Sequence, residues 1–222
     1  MAPETSATRP AINRSSWVTI RAVDTGPVGL VLPAGGAPLS AEQVEERTRT
    51  TPDGNSVSEA IVSRIRRDRA GRLRVEWRVE SDQHESARVA YLLDPVASCS
   101  YMLVIEARIA TQMSGPESGD LRVGFPAMGR SLPDGKWRTR TESLGTRVIR
   151  DIEVEGSRTI RTSEDEPTLT ALKEMWLSEI LHLTLLVEAS GPGWRHTARL
   201  QNIDLREPDP NLFVIPGDYA VR

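Results

Sequence analysis

Leu73, Val75, Trp77 and Val79 alternate without a break with Arg72, Arg74, Glu76, Arg78 and Glu80. A helix would scatter these apolar side chains around its axis, whereas a strand puts all of them on one face, so the segment is a half-buried β-strand. Shorter runs repeat the pattern with Val89, Tyr91 and Leu93, and again with Tyr101, Leu103 and Ile105. Between such runs stand turn-forming sequences: Pro52-Asp53-Gly54-Asn55, Asp68-Arg69-Ala70-Gly71, Asp94-Pro95 and Gly191-Pro192-Gly193. Proline presets φ and glycine accepts positive φ, so each marks a place where the chain reverses. A chain of 222 residues has the length of one large β domain or two small ones. The regular spacing of strands and turns, with no internal repeat, favours one.

Along the chain, residues 1–15 read as a disordered lead and 16–222 as a single β domain. Residues 17–23 form a first strand, followed by a Gly/Pro-rich loop over 26–38. Residues 41–50 are polar on both faces, but their threonines and the turn that follows favour a strand entering a hairpin. Residues 110–140 carry Gly115-Pro116, Gly119, Gly124, Pro126, Gly129 and Pro133-Asp134-Gly135. That length exceeds ordinary connections and reads as one long irregular excursion from the sheet. Over 169–187 the rules conflict: Leu169, Leu172, Trp176, Ile180, Leu183 and Val187 fit a helical stripe, while Leu181, Leu183, Leu185 and Val187 fit a strand. The expected architecture is all-β: a single curved antiparallel sheet or half-open barrel of about ten strands. Phe213, Ile215 and Tyr219 are expected to anchor the tail on the core.

Charge and composition exclude several functions. A net charge of −3 supplies no field for nucleic acid, and no stretch approaches the roughly 18 apolar residues of a membrane-spanning helix. The lone Cys99 rules out an intramolecular disulfide and a cysteine-based metal site. Neither a nucleophile elbow, a phosphate-binding loop, a zinc-protease helix nor a dinucleotide fingerprint is present, so no catalytic residue, metal ligand or cofactor is assigned. His182 and His196 fall about five residues out of register across their hairpin, on the order of 16 Å at strand rise, too far to share a metal. Glu45-Glu46 and Glu164-Asp165-Glu166 are expected to be solvated.

Two sets of side chains remain as candidates. Trp77, Tyr91, Tyr101, Trp176 and Trp194 would line a ligand cavity if the sheet curls and form core if it is flat. Arg66, Arg72, Arg74 and Arg78 form the densest basic group and would either hold an anion or make a cross-strand ion ladder with Glu76 and Glu80.

A family resemblance adds to this reading. Gly36-Ala-Pro-Leu-Ser-Ala-Glu-Gln-Val-Glu-Glu-Arg-Thr-Arg-Thr-Thr-Pro-Asp-Gly-Asn55, Arg67-Asp-Arg-Ala-Gly-Arg72, Asp94-Pro95, Glu142-Ser-Leu-Gly-Thr146, Glu155-Gly-Ser-Arg-Thr159 and the ending Glu207-Pro-Asp-Pro-Asn-Leu-Phe213, Ile215-Pro216, Asp218-Tyr219 resemble an uncharacterised family of exported bacterial β proteins. The resemblance spans 36–222 and implies strand, turn, strand over 175–187. More distantly, the hairpin meander and the closing Phe-x-x-Pro-x-x-Tyr resemble the periplasmic lipoprotein-carrier fold and the related sensor domains of envelope-stress regulators. What this implies is a non-catalytic binding protein, periplasmic or secreted, with a lipid or an envelope protein as partner. The alternatives are an interaction module without a small-molecule ligand and, behind both, a hydrolase with an unfamiliar site. Residues 1–10 lack the apolar stretch of the export signal with which that family begins, so the cytoplasm stays open.

Overall fold

The computed structural model describes residues 31–33, 36–81, 84–113, 120–122 and 135–222. The strand expected at 17–23 and the lead over 1–15 lie outside the described residues. The strands are β1 (Val31–Pro33), β2 (Leu39–Thr50), β3 (Ser56–Arg67), β4 (Leu73–Ser81), β5 (His84–Asp94), β6 (Cys99–Val104), β7 (Ile109–Gln112), β8 (Asp120–Arg122), β9 (Trp137–Ile149), β10 (Ile152–Ser163), β11 (Thr170–Ser178), β12 (Leu183–Gly191), β13 (Trp194–Asp204) and β14 (Ala220–Val221). A single 3-10 turn, Pro210–Phe213, interrupts the tail.

Twelve of these strands form one sheet in the order β14-β7-β6-β5-β4-β3-β2-β13-β12-β11-β10-β9, and β1 pairs with β8 in a small second sheet. The chain runs outward from β2 to β7 as one antiparallel meander and inward from β9 to β13 as another. Antiparallel pairing of β2 with β13 joins the two, from Trp194 opposite Arg49 to Asp204 opposite Ser40. Only β14 is parallel to its neighbour, β7. The all-β expectation holds, with two strands more than the roughly ten foreseen. One of the strands is the two-residue β14, too short for any periodicity to show in sequence.

Local chemistry accounts for the hairpins. Arg150 and Asp151 both adopt positive φ, 51° and 63°, the two-residue turn whose twist matches that of the flanking strands β9 and β10. The ambiguous 169–187 stretch is β11, a turn and β12, because both strands find partners on either side and the apolar alternation is used in full. Of the expected excursion, 110–112 close β7, 120–122 form β8 and 137–140 open β9. Residues 114–119 and 123–134 lie outside the described residues.

Two apolar clusters hold the sheet. The larger gathers Leu39, Ala41, Ile65, Leu73, Val75, Trp77 and Val89 of the first meander with Val154, Trp176, Leu183, Leu185 and Leu200 of the second. The smaller gathers Ala90, Leu92, Leu103 and Ala110, over which Ile215 and Tyr219 of the tail are packed. Phe213 is buried too, with the Arg72 guanidinium 5.3 Å from its ring centre, so the three expected anchors do hold the tail.

Arg67 ties three parts of the chain together. It is fully buried at the end of β3, donates from Nε and Nη2 to Ala37 O at 3.1 and 2.9 Å, and from Nη2 to Leu181 O at 3.0 Å. Gly36 has to be glycine here, since an added Cβ would lie 2.5 Å from Arg67 Nη2 and φ is +142°. Replacement by an apolar chain of similar length, Arg67→Met, leaves these carbonyls unsatisfied and is expected to cost about 3 kcal/mol. Urea unfolding followed by circular dichroism measures it.

Candidate functional site

β3 pairs with β2 over its whole length, from Arg67 opposite Leu39 to Ser56 opposite Thr50. With β4 it pairs only from Arg67 opposite Leu73 to Ser63 opposite Trp77. Beyond that point the β2–β3 hairpin and the β4–β5 hairpin part company. Twisted sheets seldom exceed about ten strands without curling or splitting, and this one, though continuous, opens at one end of the β3–β4 pair. The result is a cleft of about 710 Å3, within the size range of small-molecule sites. Ile61, Val62, Trp77 and Val79 give it apolar walls; Arg64, Arg78, Arg88, Glu42, Glu59 and Glu76 complete its lining.

Most of the charges along the cleft already have partners. Arg64 approaches Glu42 at 3.9 Å, Arg47 approaches Glu59 at 3.8 Å, and Arg74 holds Glu76 at 3.0 Å. Arg88 binds Glu106 at 3.0 Å, which raises the guanidinium pKa above its ordinary value. At the apex, by contrast, two buried polar atoms, Ser63 Oγ and Trp77 Nε1, have no hydrogen-bond partner among the described residues. A buried donor without a partner is costly, and of the two residues Trp77 also lines the cleft.

One strand over from the apex lies a feature that sequence reading missed. Glu45, expected to be solvated, is fully buried. Its Oε1 accepts from Arg47 Nε at 2.6 Å and lies 2.9 Å from His196 Nε2, with Gln43 Nε2 3.5 Å from Oε2. The correction has a simple cause. Alternation along β2 turns Leu39, Ala41, Gln43 and Glu45 to the covered face, and β13 brings His196 opposite Arg47. The acidic pair is thus divided, since Glu46 faces the other way and meets Arg199 at 2.9 Å in solvent. Nothing near Glu45 in the sequence signals this, because its partner His196 stands 151 residues away.

The aromatic candidates do not share one cavity. Trp77 lines the cleft. Tyr91, opposite Val75 and Met102, packs on the larger core, and burial pushes its phenol pKa up. Tyr101 packs on the smaller core. Trp176 lies against Gly156, where a Cβ would be 2.5 Å from the ring, and carries the Arg147 guanidinium 3.6 Å from its ring centre. Trp194 sits against Gly191 at the β12–β13 turn. Among the basic candidates, Arg72 binds Asp68 at 2.6 Å, and Arg74 reaches Leu212 O at 3.2 Å in addition to Glu76. Arg66 donates to Ile65 O at 3.3 Å. Arg78 faces the cleft and donates to Ser86 Oγ at 3.1 Å. Among the described residues no three His, Cys, Asp or Glu side chains come together as a metal site.

Two substitutions separate the polar node from the cleft. Glu45→Ala removes the buried carboxylate that Arg47 and His196 hold and is expected to destabilise the fold by about 1–3 kcal/mol. Ser63→Ala removes an atom without a partner and is expected to stabilise it by about 1 kcal/mol. Urea denaturation midpoints decide both, and a loss of stability in Ser63→Ala would mean that the hydroxyl is satisfied.

No family model matches the chain, and no curated protein matches it. Solved structures similar to it include a LolA superfamily protein from Nitrosomonas europaea, 10% identical over 79% of this chain and 90% of that one, with a TM-score of 0.34. LprF from Mycobacterium bovis is 10% identical over 80% and 91%, with a TM-score of 0.35. Lipoprotein LppX from Mycobacterium tuberculosis is 11% identical over 78% and 90%, with a TM-score of 0.36. The distant similarity to lipoprotein-carrier folds expected from the sequence is found here, and at these scores it says nothing about a ligand.

Proposed function

We propose that this chain is a non-catalytic binding protein of the bacterial envelope, periplasmic or secreted, that takes a hydrophobic ligand such as a lipid in the cleft between β3 and β4. The observation that carries the reading is the cleft itself: about 710 Å3 of space where the sheet opens, with Trp77 and Ile61 on its walls. Trp77 is the one aromatic candidate on that wall, and Arg78 is the one basic candidate beside it. Because the other cationic groups along the cleft are held by carboxylates, burial of apolar surface supplies the binding energy. A second reading, an interaction module for an envelope protein, draws support from the strand edges that form the cleft walls without pairing to each other.

Val62 is the wall residue best suited to a test, being about half exposed and thus tolerant of substitution. A dansyl-labelled fatty acid titrated into the full chain is expected to bind saturably. In Val62→Asp its affinity should fall about tenfold, since a carboxylate on the wall must be desolvated when an apolar ligand covers it. Absence of saturable binding to the unaltered chain would overturn the reading.

A further inference from the structure

The backbone along the cleft is as informative as its side chains. At the β3–β4 turn Asp68 N–H donates to Arg72 O at 3.0 Å, which fixes the phase of the ladder. From that bond, Arg66 with Arg74 and Arg64 with Glu76 are the hydrogen-bonded pairs, and Val62 with Arg78 would be the next. Ser63 opposite Trp77 is the last pair of the register, and a pair of this phase is closed on its outer side by Arg78 N–H on Val62 O, beyond which β3 and β4 no longer pair. The other side of β3 gives the same phase. Thr51 N–H donates to Asn55 O at 2.8 Å, so the odd-numbered residues of β3 bond to β2. Ser58 and Ala60 therefore turn their N–H and C=O groups toward the cleft, where among the described residues no strand pairs with them.

These groups discriminate between ligands. A hydrocarbon chain that displaced water from the cleft would bury backbone donors and acceptors with nothing to bond them, which is costly. An extended peptide would bond them while laying alternate side chains against Ile61, Trp77 and Val79. The paired charges along the walls favour a peptide without net charge. A second copy of the sheet is a poorer fit, because the edge lies in a cleft lined on its other side by β4.

We propose that the cleft is a strand-acceptor site, in which an extended, uncharged peptide with apolar residues at alternate positions adds to the Ser58–Ala60 edge of β3. This rests on the cleft being the ligand site and names the class of ligand it takes.

The test is a calorimetric titration of the full chain with a capped peptide of alternating valine and threonine. Two analogues run beside it, N-methylated at the valines or at the threonines. The parent peptide is expected to bind, and at least one analogue to bind about tenfold more weakly, because N-methylation removes the donors that face β3. Ala60→Pro removes a cleft-facing donor of the protein and spares the bonds to β2, so it should weaken the parent peptide by a similar factor. The N-methylated pair needs no variant, so the proposal stays testable if Ala60→Pro fails to fold. Equal affinities for all three peptides would overturn the strand-acceptor proposal. Binding of the fatty acid but of no peptide would overturn it too, and leave the cleft as a lipid site. Binding of neither would remove both readings.

Discussion

The pairing of β2 with β13 joins the first long strand of one meander to the last strand of the other, and the twelve-stranded sheet is continuous only because that seam holds. Its covered face carries a carboxylate with no access to solvent. A buried charge is tolerated when it is paired and hydrogen-bonded, and Glu45 is held by Arg47 from its own strand and by His196 from the partner strand. Such a node does little for net stability compared with an apolar pair. What it does well is punish misregistration, because a one-residue slip of β13 against β2 would turn His196 to the opposite face and leave Glu45 without it.

Arg67 performs the same service at one end of the sheet, where its guanidinium bonds carbonyls from the segment before β2 and the turn before β12. The tail adds a third tie through Phe213, Ile215 and Tyr219. These ties concentrate on β2, β3, β12 and the ends of β4 to β7. The far half of β3 lacks a comparable tie to β4, and there the sheet opens. The cleft is thus the place where, among the described residues, the pairing that holds the rest of the sheet ends.

The alternation of Leu73 to Val79 was legible because it follows from the pleat alone, and it placed Trp77 on a covered face in advance. The turns were legible because glycine, proline and asparagine impose φ locally. The meaning of Trp77 was not legible. Its place at the apex of a cleft depends on β3 leaving β4 at Ser63, which no pattern in either strand announces. Glu45 shows the same limit from the other side. In sequence it sits among polar residues and reads as solvated, and only pairing with a strand 151 residues away decides that it is buried.

The sequence by itself determined the long alternating strands, their turns and the all-β class, because each depends on patterns within a few residues along the chain. Tertiary structure alone decided which strands stand side by side, which charges are buried and where the sheet opens. Those depend on closing long loops and on the accumulated twist of twelve strands, which no local window contains.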